Sequence, residues 1–144
     1  MELPFKRVRS AGALPSSQHE GDAGLDLHAA IDVTVEPGER AMVPTGVAVA
    51  IPDGHAGLVL PRSGLASKQG LTLANAPGLI DAGYRGEVIC SMVNLDREEA
   101  VEIRAGDRIA QLVIVAVPAV VPLWADALPD SARGEGGFGS TGTN

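Results

Sequence analysis

Apolar positions in this chain come in short alternating or continuous runs, each ended by a turn. The runs are Leu25 to Ala29, Asp32 to Val35, Arg40 to Val43, Val47 to Ile51, Gly57 to Leu60, Leu71 to Leu73, Glu87 to Val93, Ala100 to Ile103, Arg108 to Val117 and Val120 to Trp124. Glu36-Pro37-Gly38, Pro52-Asp53-Gly54, Ala76-Pro77-Gly78 and Ala105-Gly106-Asp107 separate them. Many short strands at this spacing predict an all-β sandwich or barrel rather than βαβ units. One helix is expected, Ser63 to Gln69, with Ser63 placed to cap it and Gly70 to end it. The run Ile109 to Val117 is apolar on both faces, Gln111 excepted. One sheet of a sandwich covers only one face, so a subunit interface is a candidate cover for the other. From Pro129 onward the chain reads PDSARGEGGFGSTGTN, too poor in apolar area to fold alone. The expected organisation is therefore a β domain over 1–128 and a flexible glycine-rich arm over 129–144.

Composition sharpens this picture. Hydrophobic residues are 45% of the 144 but aromatics only 3%, so the core must be built from branched aliphatics, which favour strands. Long helices are improbable among 18 Gly and 10 Pro. A net charge of −7 argues against a general nucleic-acid binder, which needs a basic surface. It leaves room for a small anion held by a few clustered arginines. The single cysteine, Cys90, excludes an internal disulfide and sits in the apolar run VICSMV, where a buried inert thiol is expected. The start MELPFKRVRS lacks the apolar stretch of a signal peptide, and no run approaches the roughly 20 apolar residues of a membrane span. The expectation is a cytoplasmic protein with no membrane or nucleic-acid partner.

Candidate chemistry lies in the turn-rich segments. Pro61-Arg62-Ser63-Gly64 puts a guanidinium, a hydroxyl and a backbone without Cβ at a helix start, which suits an anion or simply a capped turn. Gly78 to Gly86 reads as a hairpin carrying Asp81 and, three residues on, Tyr84. Asp81 there is either a turn aspartate or a partly desolvated general base. Asp26 stands between Leu25 and Leu27 and must be paired, hydrated or near a metal, because burying a bare carboxylate is expensive. His28 reads as an ordinary surface or satisfied histidine. Arg133 and Phe138 place a cation and an aromatic within the glycine-rich tail. No zinc-ligand spacing, P-loop or GxSxG is present. Five cations, Arg62, Lys68, Arg85, Arg108 and Arg133, accompany these segments. Together they suggest a polyanion site on a β scaffold.

The ordered set AGLDL (23–27), PRSGLA (61–66), NAPGLIDAGYRGE (75–87), GDRIAQL (106–112) and RGEGGFGSTG (133–142) resembles the five motifs of the trimeric dUTPase family. The resemblance covers the chain from about residue 20 onward. It implies a jelly-roll-like fold, a homotrimer with active sites shared between subunits, and Mg²⁺-dependent hydrolysis of dUTP to dUMP and pyrophosphate. Such a reaction keeps uracil out of DNA and supplies dUMP for dTMP synthesis. Asp81 would activate the water attacking the α-phosphorus in line. Tyr84 would pack under the deoxyribose and exclude a 2′-hydroxyl. Asn75 and the backbone of Gly78, Leu79, Ile80 and Ile89 would hold the uracil edge. Arg62, Ser63, Gly64 and Gln111 would position the phosphates. Asp26 would meet Mg²⁺ through its water shell, the ion being held mainly by the substrate. Arg133 would contact the γ-phosphate, Phe138 would stack on uracil, and Gly139, Ser140 and Thr141 would add phosphate contacts. Gly83 departs from the family pattern, standing where many members carry a second acidic residue.

Two other readings stay open at this level. A dCTP deaminase of the same fold would need a glutamate in the hairpin as base, whereas this hairpin offers Asp81 and Tyr84. A non-enzymatic trimeric β module that binds partners or nucleotides is compatible with the fold alone.

Overall fold

The structure, a computed structural model, describes residues 1–135. Its strands are β1 (Phe5–Arg7), β2 (Leu25–His28), β3 (Val33–Val35), β4 (Arg40–Val49), β5 (His55–Pro61), β6 (Leu71–Leu73), β7 (Gly78–Asp81), β8 (Glu87–Asn94), β9 (Val101–Ile103) and β10 (Arg108–Ala116), and α1 is Ser63–Gln69. They form two four-stranded sheets, β1-β4-β8-β6 and β2-β10-β5-β7, and a ribbon of β3 with β9. Every ladder is antiparallel. The sandwich expected from the spacing of the runs is what forms.

Alternation puts Leu27, Val43, Ile51, Leu71, Met92, Ile109 and Leu112 inside, each almost wholly buried. Side chains of this size contribute about 1.5–3 kcal/mol each on burial. Among the polar groups enclosed with them, Asn94 is satisfied by its own bonds: its Nδ2 donates to Val35 O and Glu99 O, and its Oδ1 accepts from Asp96 N–H. Among the described residues no helix is long and apolar enough to cross a membrane.

Four expectations need correction. The runs Arg40 to Val43 and Val47 to Ile51 belong to one strand, β4, because Pro44-Thr45-Gly46 forms an irregularity inside it. The register with β8 shifts between Pro44 and Ala48, Gly46 takes φ 73°, and Thr45 Oγ1 donates to Val88 O at 2.7 Å. Ser63 does not cap α1: the N-cap is Arg62, extended at φ −88° and ψ 125°, with no side-chain cap bond. Gly70 ends the helix as expected, left-handed at φ 67°. The segment Val120 to Trp124 is not a strand. Pro118 precedes it and Pro122 interrupts it, and its apolar side chains are exposed, Trp124 fully so at 101%. Finally, β7 and β8 do not pair with each other: β7 pairs with β5, and β8 with β4 and β6. The hairpin read from the sequence is an arch that crosses between the sheets.

Candidate functional site

The arch opens a cleft of about 330 Å³. Asn75, Gly78, Leu79, Ile80, Asp81, Tyr84 and Ile89 all line it, so the residues expected at base, sugar and water are brought together. Asp81 ends β7 and is exposed, so the partial desolvation expected of it is not provided by this chain alone. Tyr84 is placed by its backbone and its hydroxyl: its N–H donates to Asp81 O at 3.0 Å and Oη donates to Glu87 O at 2.9 Å. Its ring lies across Gly86, where a Cβ would fall 2.4 Å from Oη. Arg85 curls back to donate to Ala82 O and Tyr84 O, which stiffens the bend. Cys90 lies at the buried end of the cleft, and burial pushes its thiol up to about 12.

A second, polar cleft of about 500 Å³ is lined by Asp26, Arg62, Ser63, Gly64 and Gln111. Asp26 is buried between two guanidiniums, Oδ1 at 3.4 Å from Arg62 Nε and Oδ2 at 3.2 Å from Arg108 Nη1. Of the options open for this carboxylate, pairing is the one realised. Arg62 Nη1 also donates to Arg108 O at 3.0 Å, so the cation is held in place before any ligand arrives. Gln111 Nε2 donates to Pro61 O at 3.0 Å, and Gly24 makes room for its amide, since a Cβ there would fall 2.4 Å from Oε1. Two arginines against one carboxylate leave this group of three side chains with an excess positive charge in an otherwise acidic protein.

The two clefts share no lining residue. Val59 lines the first and Leu60 the second. Successive residues of a strand point to opposite faces, so β5 stands between them. Arg133 lies in an exposed turn at 132–135. Phe138, Gly139, Ser140 and Thr141 lie outside the described residues.

Sequence reading missed several residues of these clefts. Met42 and Glu87 line the first, and Gln18, His19, Asp22 and Arg108 line the second. Arg108 carried a signal only as one of five clustered cations. The loop residues carried none, because no periodicity marks a loop that folds over a sheet face.

Among the described residues no group of three or more His, Cys, Asp or Glu is arranged to hold a metal ion. Asp26, the one candidate, already faces two arginines. A carboxylate already paired in this way does not cage an ion and fits one that brings its own ligands.

The dUTPase family model matches residues 10–142. The chain belongs to the dUTPase family. A deoxyuridine 5′-triphosphate nucleotidohydrolase of Leifsonia xyli subsp. xyli is 57% identical over 132 residues, covering 92% of this chain and 87% of that protein. One from Thermobifida fusca is 57% identical over 142 residues, covering 99% and 79%. Among solved structures, a variant of the Staphylococcus bacteriophage 80alpha dUTPase with dUpNHpp has a TM-score of 0.93 at 32% identity, covering 99% of both chains. A variant dUTPase from phage phi11 of S. aureus, described for its coordination of a structural Mg(II) ion, has a TM-score of 0.82 at 30% identity, covering 88% of this chain and 98% of that one. The dUTPase match begins at residue 10, ahead of the motifs, so part of the N-terminal arm belongs to the family domain as well.

Proposed function

We infer that this protein hydrolyses dUTP to dUMP and pyrophosphate, by attack of a water on the α-phosphorus with Asp81 as general base. The observation that carries this is the arch cleft, where Asn75, Asp81, Tyr84 and Ile89 face one cavity beneath a bend fixed by its own hydrogen bonds.

In this reading uracil enters the arch and is held by Asn75 and by the backbone of Gly78, Leu79, Ile80 and Ile89. The space is narrow: a Cβ on Gly78 would already sit 3.3 Å from Val59 Cβ. Rejection of thymine by steric exclusion suits such a slot, because attraction alone gains little against one methyl. Tyr84 lies under the deoxyribose and leaves no room for a 2′-hydroxyl. Asp81 takes a proton from the attacking water, a contribution of about 10²–10⁴ in rate. Arg62, Ser63, Gly64 and Gln111 position the phosphate chain. Asp26 would help to hold Mg²⁺ through its water shell, the substrate phosphates being its main ligands. When bound, that ion spreads the charge developing on the phosphate oxygens. Arg133 contacts the γ-phosphate, Phe138 stacks on uracil, and Gly139, Ser140 and Thr141 add phosphate contacts as the arm over 129–144 closes and excludes water.

With the clefts on opposite sides of β5, one chain cannot offer both to one nucleotide. A homotrimer with each active site assembled from several subunits resolves this, and supplies the desolvation that Asp81 lacks in the single chain. A cytoplasmic location completes the reading. The deaminase alternative is disfavoured because Glu87, a glutamate lining this cleft, is tied to Arg9 and the Gly46 N–H.

The test is pyrophosphate release from dUTP, dTTP, dCTP and UTP with Mg²⁺, beside Asp81→Asn. Release from dUTP alone, reduced at least about a hundredfold in the variant, is expected. Undiminished release in the variant would sink the assignment of the base. No release from any nucleotide would sink the enzyme reading.

A further inference from the structure

The N-terminal arm takes no part in the chemistry above, yet it is bonded to a side chain that lines the arch cleft. Arg9 Nε donates to Glu87 Oε1 at 2.6 Å, and the Gly46 N–H donates to the same oxygen at 2.9 Å. In return, Val8 N–H and Arg9 N–H donate to Gly46 O at 2.8 and 3.3 Å. Arm and bulge are pressed close: a Cβ on Gly12 would fall 2.2 Å from Gly46 O. Glu87 is the first residue of β8, and its carbonyl accepts the Tyr84 hydroxyl. A continuous chain of bonds thus runs from the arm through Glu87 to the tyrosine.

We propose that Arg9 and Glu87 are positioning residues for the arch cleft, fixing Tyr84 through the Glu87 backbone so that the N-terminal arm sets how tightly the deoxynucleotide binds. The proposal rests on the dUTPase reading for its substrate. Glu87 is largely covered while Arg9 is half exposed, at 16% and 48% of their side-chain surfaces. With its arginine half exposed the pair is partly screened by solvent and contributes little to global stability, so its consequence is local. The Arg9 hydrogen bond holds the Glu87 carboxyl below the ordinary glutamate range; partial burial opposes this, and the Gly46 N–H and the Arg9 charge reinforce it. The carboxylate therefore stays ionised, and the bond stays made, at neutral pH.

The experiment compares the full chain with Arg9→Ala, Glu87→Ala, the double variant, Arg9→Lys and Glu87→Gln. It measures KM and kcat for dUTP with Mg²⁺, the thermal midpoint, and the ring resonances of isotope-labelled tyrosine, Tyr84 being the only one. Both alanine variants are expected to raise KM roughly tenfold with kcat nearly kept, and to shift the Tyr84 resonances. The double variant should be no worse than the more affected single one, since all three lose the same bond. Arg9→Lys and Glu87→Gln, which keep a donor and an acceptor, should fall between. Unchanged KM and unmoved Tyr84 resonances in folded variants would overturn the proposal and leave the dUTPase reading intact. If an alanine variant fails to fold, the two conservative variants carry the same comparison. If the unaltered protein does not hydrolyse dUTP, the functional reading fails, and the Tyr84 resonances still decide whether the arm positions the ring.

Discussion

Tyr84 lies folded over Gly86, so the space above that glycine is part of the cleft. A Cβ at residue 86 would fall 2.4 Å from Tyr84 Oη and 2.6 Å from Cζ, and the ring must move to admit it. Gly86→Ala is expected to raise KM for dUTP roughly tenfold and leave the thermal midpoint within about 3 °C, because the displaced ring is exposed and not core. Steady-state kinetics beside a melting curve checks this, and an unchanged KM would mean the ring does not stand where substrate binds. Cys90 makes the opposite case. Its thiol is buried and pushed up to about 12, so at pH 8 a thiol reagent should label it only after denaturation. Fast labelling of the native protein would show the cleft floor to be open. At this scale the motifs picked out Asp81, Tyr84, Asn75, Arg62 and Gln111, which line the clefts, but not Met42 or Glu87. Met42 sits in an apolar run and reads as core. Only the pairing of β4 with β8, with Met42 opposite Ser91, turns it toward the cleft.

The strands show where local pattern suffices and where it does not. Runs bounded by turns, such as Leu71–Leu73 and Val101–Ile103, carry their own limits. Strand β1 does not, because Phe5-Lys6-Arg7 shows no alternation and exists only by pairing with Val47 to Val49. The bulge in β4 hides a continuous strand behind a proline and a glycine. Gly46 there has φ 73°, and a Cβ would fall 2.6 Å from Gly12 Cα, backbone against backbone. Gly54 has nearly the same backbone, φ 75°, with nothing within 4 Å. Gly54→Ala should therefore cost only about 1 kcal/mol of backbone strain. Gly46→Ala adds a clash that neither segment can relieve, and should lower the thermal midpoint by roughly 6–15 °C. Equal losses in the two variants would show that the arm does not seat on the bulge.

For the molecule as a whole, the placement of the clefts on either side of β5 is the decisive fact. An Asp81→Asn chain and an Arg62→Ala chain should each be inactive alone. Refolded together at equal amounts, they should recover roughly a quarter of full activity, because some sites then join an intact arch to an intact arginine cleft from another subunit. No recovery from mixtures shown by mass to have assembled would mean that one chain supplies both. The apolar run in β10 suggested an interface in the sequence, and Val113, Ile114 and Val115 are only half buried in the single chain. Which face of β10 stays open was not legible, since that depends on the sheet face each residue takes and not on its type.

Trp124, fully exposed beyond the last strand, is the only indole in the chain. Its emission is therefore blind to the aliphatic core and sensitive to whatever surrounds the segment after β10. In the single chain that indole is already solvated, so a blue-shifted emission in solution would report a cover over the segment, and its red shift on denaturation the loss of that cover, while circular dichroism would trace the sheets. The optical label sits on the segment after the last strand and the scaffold is dark, so covering of that segment and melting of the sheets can be followed separately in one unmodified sample.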